Sequence, residues 1–333
     1  MTMTLHQYIE RTTGQVRDER LYSDRLINFI YSTVRERAPF LFRALTGPAW
    51  TNLLGKVNYD LRVGARLSGN MKFIRQLGVD LTECLDAPES LDTARKIFER
   101  KICYWDCRPM PTDDAAIVSP ADSRMLVGSV GDTSALLIKE KFFSFDELLG
   151  DRSGWRSEFA QGDFAVFRLT PDKYHYNHTP VAGVVRDVYE IDGAYHSCNP
   201  GAVVSIITPY SKNKRVVTII DTDVPGGSAV GLVAMIEVVA MMIGQVQQCY
   251  SQDRYENPID VQPGLFLRKG QPKSLYHPGS STDVLMFQPG KVQFAPDIVA
   301  NMQAPAHSRF TRGCGQPLVE TDVQVRSWIA TAK

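Results

Sequence analysis

The stretch Lys269–Phe294, KGQPKSLYHPGSSTDVLMFQPGKVQF, constrains the chain more than any other. At its centre Pro278 and Gly279 punctuate a turn. Ser280, Ser281 and Thr282 follow at once, and then an apolar run, Val284–Phe287, that reads as a strand. Gln288-Pro289-Gly290-Lys291 carries Pro and Gly at the two central turn positions, the pattern of a type II turn. Val292–Phe294 then reads as a returning strand. The pattern predicts a β-hairpin with a Ser-Ser pair at its mouth, beside a flexible glycine. Such a mouth can hold a serine hydroxyl against a neighbouring carbonyl. Taken alone, the same residues also describe an ordinary Ser-rich turn.

A chain of 333 residues with 44% hydrophobic content buries a substantial core, as one large domain or two smaller ones. Its net charge of zero gives no bulk electrostatic case for nucleic acid. The six cysteines are scattered without a CxxC pair, which fits free thiols in a reducing compartment. Cys103 and Cys107 lack a second pair or a nearby histidine, so no metal site is expected. The first residues show no basic segment followed by an apolar core, so no signal peptide is expected and the location reads as cytoplasmic. Ser228–Val246 is apolar and nearly long enough to span a bilayer. Glu237 at its centre would be costly there, and its valines and glycines suit buried strands better.

Residues 5 to about 105 read as helical. Asp24 is an N-cap candidate, and Leu26, Phe29, Ile30 and Val34 follow at helical spacing. Leu41, Phe42, Leu45, Trp50, Leu53 and Leu54 continue an apolar segment accompanied by Arg17, Arg20, Arg25, Arg35, Arg37 and Arg43. An apolar face with flanking arginines suits an anionic membrane surface. It equally suits a helix packed on its own core with a solvated charged face. Leu91, Ala94, Ile97 and Phe98 define another amphipathic helix. From about residue 115 the pattern turns to strands: Ala115–Val118, Phe164–Leu169, Ala202–Thr208 and Arg215–Asp221. The expected fold class is α+β, with a helical N-terminal lobe over 1–110 packed on a β-sheet-rich body over 111–333.

Two further constellations carry chemistry. Thr170-Pro171-Asp172-Lys173-Tyr174-His175-Tyr176-Asn177-His178-Thr179-Pro180 holds two of the six histidines three residues apart. By residue type alone, His175 and His178 are a metal half-site, a catalytic pair or two loop histidines. Ser119-Pro120-Ala121-Asp122 reads, on its own, as a turn ending in an aspartate.

Together these stretches resemble the self-processing proenzymes of the phosphatidylserine decarboxylase family. That family carries a Lys-Gly, an aromatic residue, a Gly-Ser-Thr/Ser core and an apolar strand in order, matched by Lys269-Gly270, Tyr276, Gly279 and the strand to Phe287. It also carries Thr-Pro-x-x-Tyr-His-x-x-His-x-Pro, matched at Thr170, Pro171, Tyr174, His175, His178 and Pro180, and Ser-Pro-Ala-Asp, matched through Asp122. Phe98, Arg100, Ile102, Arg108 and Pro109 follow a further segment loosely, with Cys103-Tyr104-Trp105 in place of its Lys-Pro-Gly. Ser123 and Ser280 stand where the family has glycine, and Val239 and Met241 where it has Gly and Thr.

The resemblance implies that the chain cuts itself between Ser280 and Ser281 and converts Ser281 to a pyruvoyl group. The alternative bond is Gly279–Ser280, with Ser280 reactive. Spacing from Tyr276 and from Phe287 both favour Ser281. It implies His178 as the base, with Asp122 orienting its ring and stabilising the imidazolium. His175 then positions the carboxylate or protonates the product. The pyruvoyl ketone would serve as electron sink through a Schiff base, with no separately bound cofactor. The implied reaction converts phosphatidylserine to phosphatidylethanolamine and carbon dioxide, in a homodimer of αβ units that is peripheral on the inner face of the membrane. A soluble, for instance aromatic, amino acid is the alternative substrate. A Ser-His-Asp hydrolase built from Asp122, His178 and Ser281 is an alternative of another class, though the chain lacks a Gly-x-Ser-x-Gly elbow at Ser281. A non-catalytic membrane-surface binding protein is a further one.

Overall fold

A computed structural model describes residues 5–21, 24–47, 50, 53, 59, 78–130, 142–206, 208–241, 245–279 and 281–333. Ser280, one half of the expected cut site, lies outside the described residues. In chain order the strands are β1 Gln7–Glu10, β2 Gln15–Asp18, β3 Ala116–Val118, β4 Ser123–Ser129, β5 Asp163–Leu169, β6 Tyr176–His178, β7 Gly183–Ile191 and β8 Arg215–Asp221. They continue as β9 Leu232–Val239, β10 Val246–Gln248, β11 Phe266–Leu267, β12 Pro272–Tyr276, β13 Ser281–Phe287, β14 Val292–Phe294, β15 Glu320–Val323 and β16 Trp328–Ala332.

A ten-stranded sheet runs β11-β7-β8-β9-β13-β5-β4-β15-β1-β2, and two three-stranded sheets run β10-β12-β6 and β14-β16-β3. With its helices this is the expected α+β class. The strand β13 lies inside the large sheet, antiparallel to both β5 and β9, and all of its residues are buried. Period-two alternation explains this. Val284 and Met286 enter one core with Phe164, Val166 and Ile236, while Leu285 and Phe287 enter another with Ala165, Phe167 and Met235. Each such side chain contributes about 1.5–3 kcal/mol on burial. A one-residue slip would exchange the two sets, so the packing fixes where Ser281 sits.

Four expectations meet the fold differently. The turn at Gln288–Lys291 forms, with Gly290 at φ +71° and the Lys291 N–H on the Gln288 carbonyl. Yet β14 pairs with β16, because both edges of β13 are already taken, so no hairpin frames the serines. The helical reading fails at residues 7–18: Gly14, at φ +69°, turns β1 back into β2, and β1 joins β15 in the large sheet. The β-branched run after Asn199 is a helix, Pro200–Ser205. The Asn199 side chain caps the Gly201 N–H and Pro200 opens the first turn, and these signals outweigh strand propensity. Within the apolar run at 228–246, Leu232–Val239 is the buried strand β9, and among the described residues no helix is long and apolar enough to cross a membrane.

Helices do form at Asp24–Phe29 and Pro39–Leu45, joined by a π-helical turn at Ile30–Val34. Tyr31, Val34 and Phe42 pack inward against Ala202, Ile206 and Met241. The helix Ala94–Phe98, capped by Thr93, buries Ala94, Ile97 and Phe98 against Ala121, Leu169 and Tyr276. That packing brings the Asp122 turn, the end of β5 and the approach to Ser281 into one cluster.

Candidate active site

Ser281 opens β13, in register with Leu169 of β5 and Val239 of β9. Its side chain is fully buried, and its Oγ has no hydrogen-bond partner among the described residues. Burying a hydroxyl without a partner costs about 1–3 kcal/mol, so this position is held by its surroundings rather than by its own bonds. Two residues upstream, Gly279 takes φ +154°, a conformation that glycine adopts without a Cβ penalty.

The next two residues divide between the faces of β13. Thr282 points to one side and donates to the Cys198 sulfur at 3.1 Å. Asp283 shares the Ser281 side and faces Glu237 across the ladder. The Tyr276 hydroxyl lies 2.8 Å from Asp283 Oδ1 and 3.0 Å from the Thr282 carbonyl. Asp283 Oδ2 is buried and has no partner among the described residues. Burial, with the Glu237 charge adding to it, pushes the Asp283 carboxyl well above the usual carboxylate range, so it stays protonated at neutral pH. Glu237 behaves oppositely. Burial pushes it up, but the Lys273 ammonium at 2.7 Å outweighs this, aided by Gln248 and Ser274, and keeps it ionised. Asn177 completes this cage with a bond to Glu237 at 3.2 Å.

The two histidines differ in every contact. His175 stacks on Phe98 with ring centroids 3.4 Å apart, and its carbonyl accepts the Tyr276 N–H. Both of its ring nitrogens are buried without a partner among the described residues. Burial, reinforced by Arg100, drives its pKa down to about 3, so the ring is neutral. His178 sits in register with Pro272 on β12 and edge-on to Tyr104. Its Nδ1 lies 2.9 Å from the Gly270 carbonyl and its Nε2 3.0 Å from the Tyr174 hydroxyl. A carbonyl can only accept, so Nδ1 carries the hydrogen and Nε2 accepts from Tyr174. Burial holds His178 at about 3 as well.

Asp122 does not bond the His178 ring as expected. Its carboxylate takes Arg108 Nε at 3.0 Å, Arg108 Nη2 at 2.9 Å and the Val325 N–H at 2.8 Å. A buried carboxylate needs a cation and donors close by, and Arg108 supplies both. Burial raises the Asp122 pKa, but the Arg108 charge and hydrogen bonds outweigh that and leave it low. The Gly270 carbonyl, not Asp122, fixes the His178 tautomer. The Asp122 charge still favours the imidazolium from a distance.

Gly279 also lines a cleft with Tyr59, Arg168, Thr170, Cys198 and Met241. Arg168 looks like a free anion anchor there but is not one. It is bound to Glu19 and Glu320 through four contacts between 2.6 and 2.9 Å. His6, Glu19 and Glu320 converge on this spot, and the guanidinium fills the place a cation would take.

The structure buries all four expected residues, and neither histidine is bonded to Ser281 Oγ. Sequence reading missed Asp283, Lys273 and the roles of Tyr174 and Gly270. A lone Asp two residues into an apolar strand was the available signal for the first.

The model for the phosphatidylserine decarboxylase family matches residues 95–309. A phosphatidylserine decarboxylase proenzyme of Chlamydia trachomatis is 30% identical over 314 residues, covering 92% of this chain and 95% of the relative. Proenzymes of the same name from Ruminiclostridium cellulolyticum and Fusobacterium nucleatum are 30% and 26% identical, with the same coverage of both chains.

Proposed function

The chain belongs to the phosphatidylserine decarboxylase family, a family of carboxy-lyases, and we propose that it cuts itself before Ser281 and decarboxylates phosphatidylserine with the pyruvoyl group so formed. The observation that carries this reading is the buried, unpartnered Oγ of Ser281 at the head of a strand locked on both edges. An orphaned hydroxyl preceded closely by a permissive glycine fits a residue destined to be consumed.

Ser281 Oγ adds to the residue-280 carbonyl, and the C–N bond breaks to leave an ester. His178 is the base. Its Nδ1–H is anchored on Gly270, so Nε2 offers its lone pair once it exchanges the Tyr174 hydroxyl for Ser281. Asp122 contributes its charge to the imidazolium. Loss of the Ser281 α-proton then expels the residue-280 carboxylate, and water replaces the nitrogen as ammonia. When present, the pyruvoyl carbonyl supplies the electron sink for decarboxylation. His175, neutral and with both nitrogens unpartnered, orients the substrate carboxylate or returns a proton.

The lipid reading draws on the N-terminal helices. Leu26, Phe29 and Leu41 are exposed, Phe40 is 86% exposed, and Arg35, Arg37 and Arg43 lie exposed among them. Apolar side chains beside cations suit an anionic bilayer surface.

Intact mass under denaturing conditions tests maturation. Wild type should yield fragments 1–280 and 281–333, the second blocked by pyruvoyl, and Ser281→Ala should stay whole. His178→Ala should not mature, whereas His175→Ala should mature and decarboxylate poorly. Cutting that survives in His178→Ala but stops in His175→Ala would transfer the base to His175. Turnover of free serine or tryptophan, but not of phosphatidylserine in vesicles, would overturn the lipid assignment.

A further inference from the structure

The proposed chemistry makes no use of the buried group nearest to Ser281 along its own strand face. Asp283 lies two residues on, about 7 Å along β13 and on the same side. Ser281 Oγ and Asp283 Oδ2 are both fully buried, and neither has a partner among the described residues. Two orphaned buried oxygens, two residues apart on one strand face, call for a common explanation. The surroundings keep Asp283 neutral. Glu237, across the ladder, is the ionised member of the pair because Lys273 compensates it, and among the described residues no cation bonds to Asp283. When Tyr276 gives its one hydroxyl hydrogen to Oδ1 rather than to the Thr282 carbonyl, the acidic hydrogen stays on Oδ2.

We propose that Asp283 is the acid of the elimination step, donating from Oδ2 to Ser281 Oγ as that oxygen leaves. The proposal rests on the self-processing reading above. In the ester, Oγ joins the Ser281 Cβ to the acyl group of residue 280. The base removes the Cα proton, and that electron pair forms the Cα–Cβ double bond. The Cβ–Oγ bond breaks, and Oγ departs as part of the new residue-280 carboxylate. Negative charge builds on an oxygen buried away from water, and the Oδ2–H donor meets it there. The earlier ester-forming step needs no such donor at Oγ, so the two steps should separate when Asp283 is changed.

The experiment uses the full chain and hydroxylamine, which cleaves esters and spares amides. Asp283→Asn keeps the size and a hydrogen bond to Tyr276 but is no acid. Folding is checked by thermal unfolding beside Ser281→Ala. The expected result is a folded chain whose pyruvoyl-blocked fragment appears about a hundredfold more slowly or worse. That chain should break in hydroxylamine to give a 281–333 fragment beginning with an intact serine. Tyr276→Phe, which frees Oδ1, is the second variant if Asp283→Asn does not fold, and should accumulate the same labile chain. A folded variant that yields the blocked fragment at the wild-type rate overturns the proposal. So does one that stays whole and resists hydroxylamine, because Asp283 then acts before the ester or only in packing. A small fragment beginning at residue 280 overturns it too. Wild type that never cuts refutes the self-processing reading itself, a result distinguishable from the others.

Discussion

The head of β13 buries polar atoms that lack partners among the described residues, whereas the helices between Asp24 and Leu45 leave large apolar side chains in water. Both depart from the usual sorting of residues, in opposite directions. At β13 the departure is held by a large surrounding core and by the Glu237–Lys273 pair. At the helices it is held by a thinner contact, in which Tyr31, Val34 and Phe42 meet Ala202, Ile206 and Met241. An unsatisfied buried group is useful where chemistry will satisfy it, and an exposed apolar group where another surface will cover it. The two regions should therefore respond to different perturbations.

The largest contrast is expected from Lys273→Met, studied in uncut Ser281→Ala protein. It strands the Glu237 carboxylate in the core, and loss of one partner of a buried pair costs about 3–5 kcal/mol. Denaturant unfolding should show that loss, while Phe40→Ser stays within about 0.5 kcal/mol of its parent. Equal effects would dissolve the contrast.

Phe40→Glu should act in the reverse sense. Removing one exposed aromatic from a bilayer contact costs about 1.5–3 kcal/mol, or roughly ten- to a hundredfold in vesicle binding. Sedimentation with anionic vesicles would measure it, and binding should weaken further with salt. Self-cutting of the same variant should keep its wild-type rate. A variant that binds normally would show that these side chains serve another surface.

The remaining effect concerns acid. His175 and His178 have native pKa values of about 3, below the ordinary value of 6.5. Below pH 6.5 the unfolded chain therefore binds protons that the native chain refuses. Their contribution is complete above that pH and is lost as pH falls toward 3, at about 1.4 kcal/mol per pH unit for each ring. Unfolding of Ser281→Ala at pH 7, 6 and 5 should show this slope, and His175→Gln should remove about half of it. An unchanged slope would mean that the ring is not held neutral in the native state.

Much of the candidate site was legible in the sequence. Ser281, His175, His178 and Asp122 announce themselves through short motifs whose spacing is local, and the helix at Ala94–Phe98 and the strand over Phe164–Leu169 follow from their periods. Failures occurred where a local signal competed with a distant partner. Residues 7–18 carry no strong strand pattern and become strands because β15 offers an edge 312 residues away. Val292–Phe294 is a strand as expected, but its partner was decided by which edges remained free.

The sequence alone determined which residues could do the chemistry, because residue type and near spacing are written in it. It also determined the two-sided burial of β13, since the unbroken apolar run Val284–Phe287 puts apolar side chains on both faces of a strand. Only the tertiary structure decided how those residues are bonded. It gave Asp122 to Arg108, the His178 tautomer to the Gly270 carbonyl, and the Glu237 charge to Lys273, leaving Asp283 to keep its proton. The reason is physical: a buried charge or ring nitrogen takes whichever partner the folded chain brings within reach, and that partner can come from any distance along the sequence.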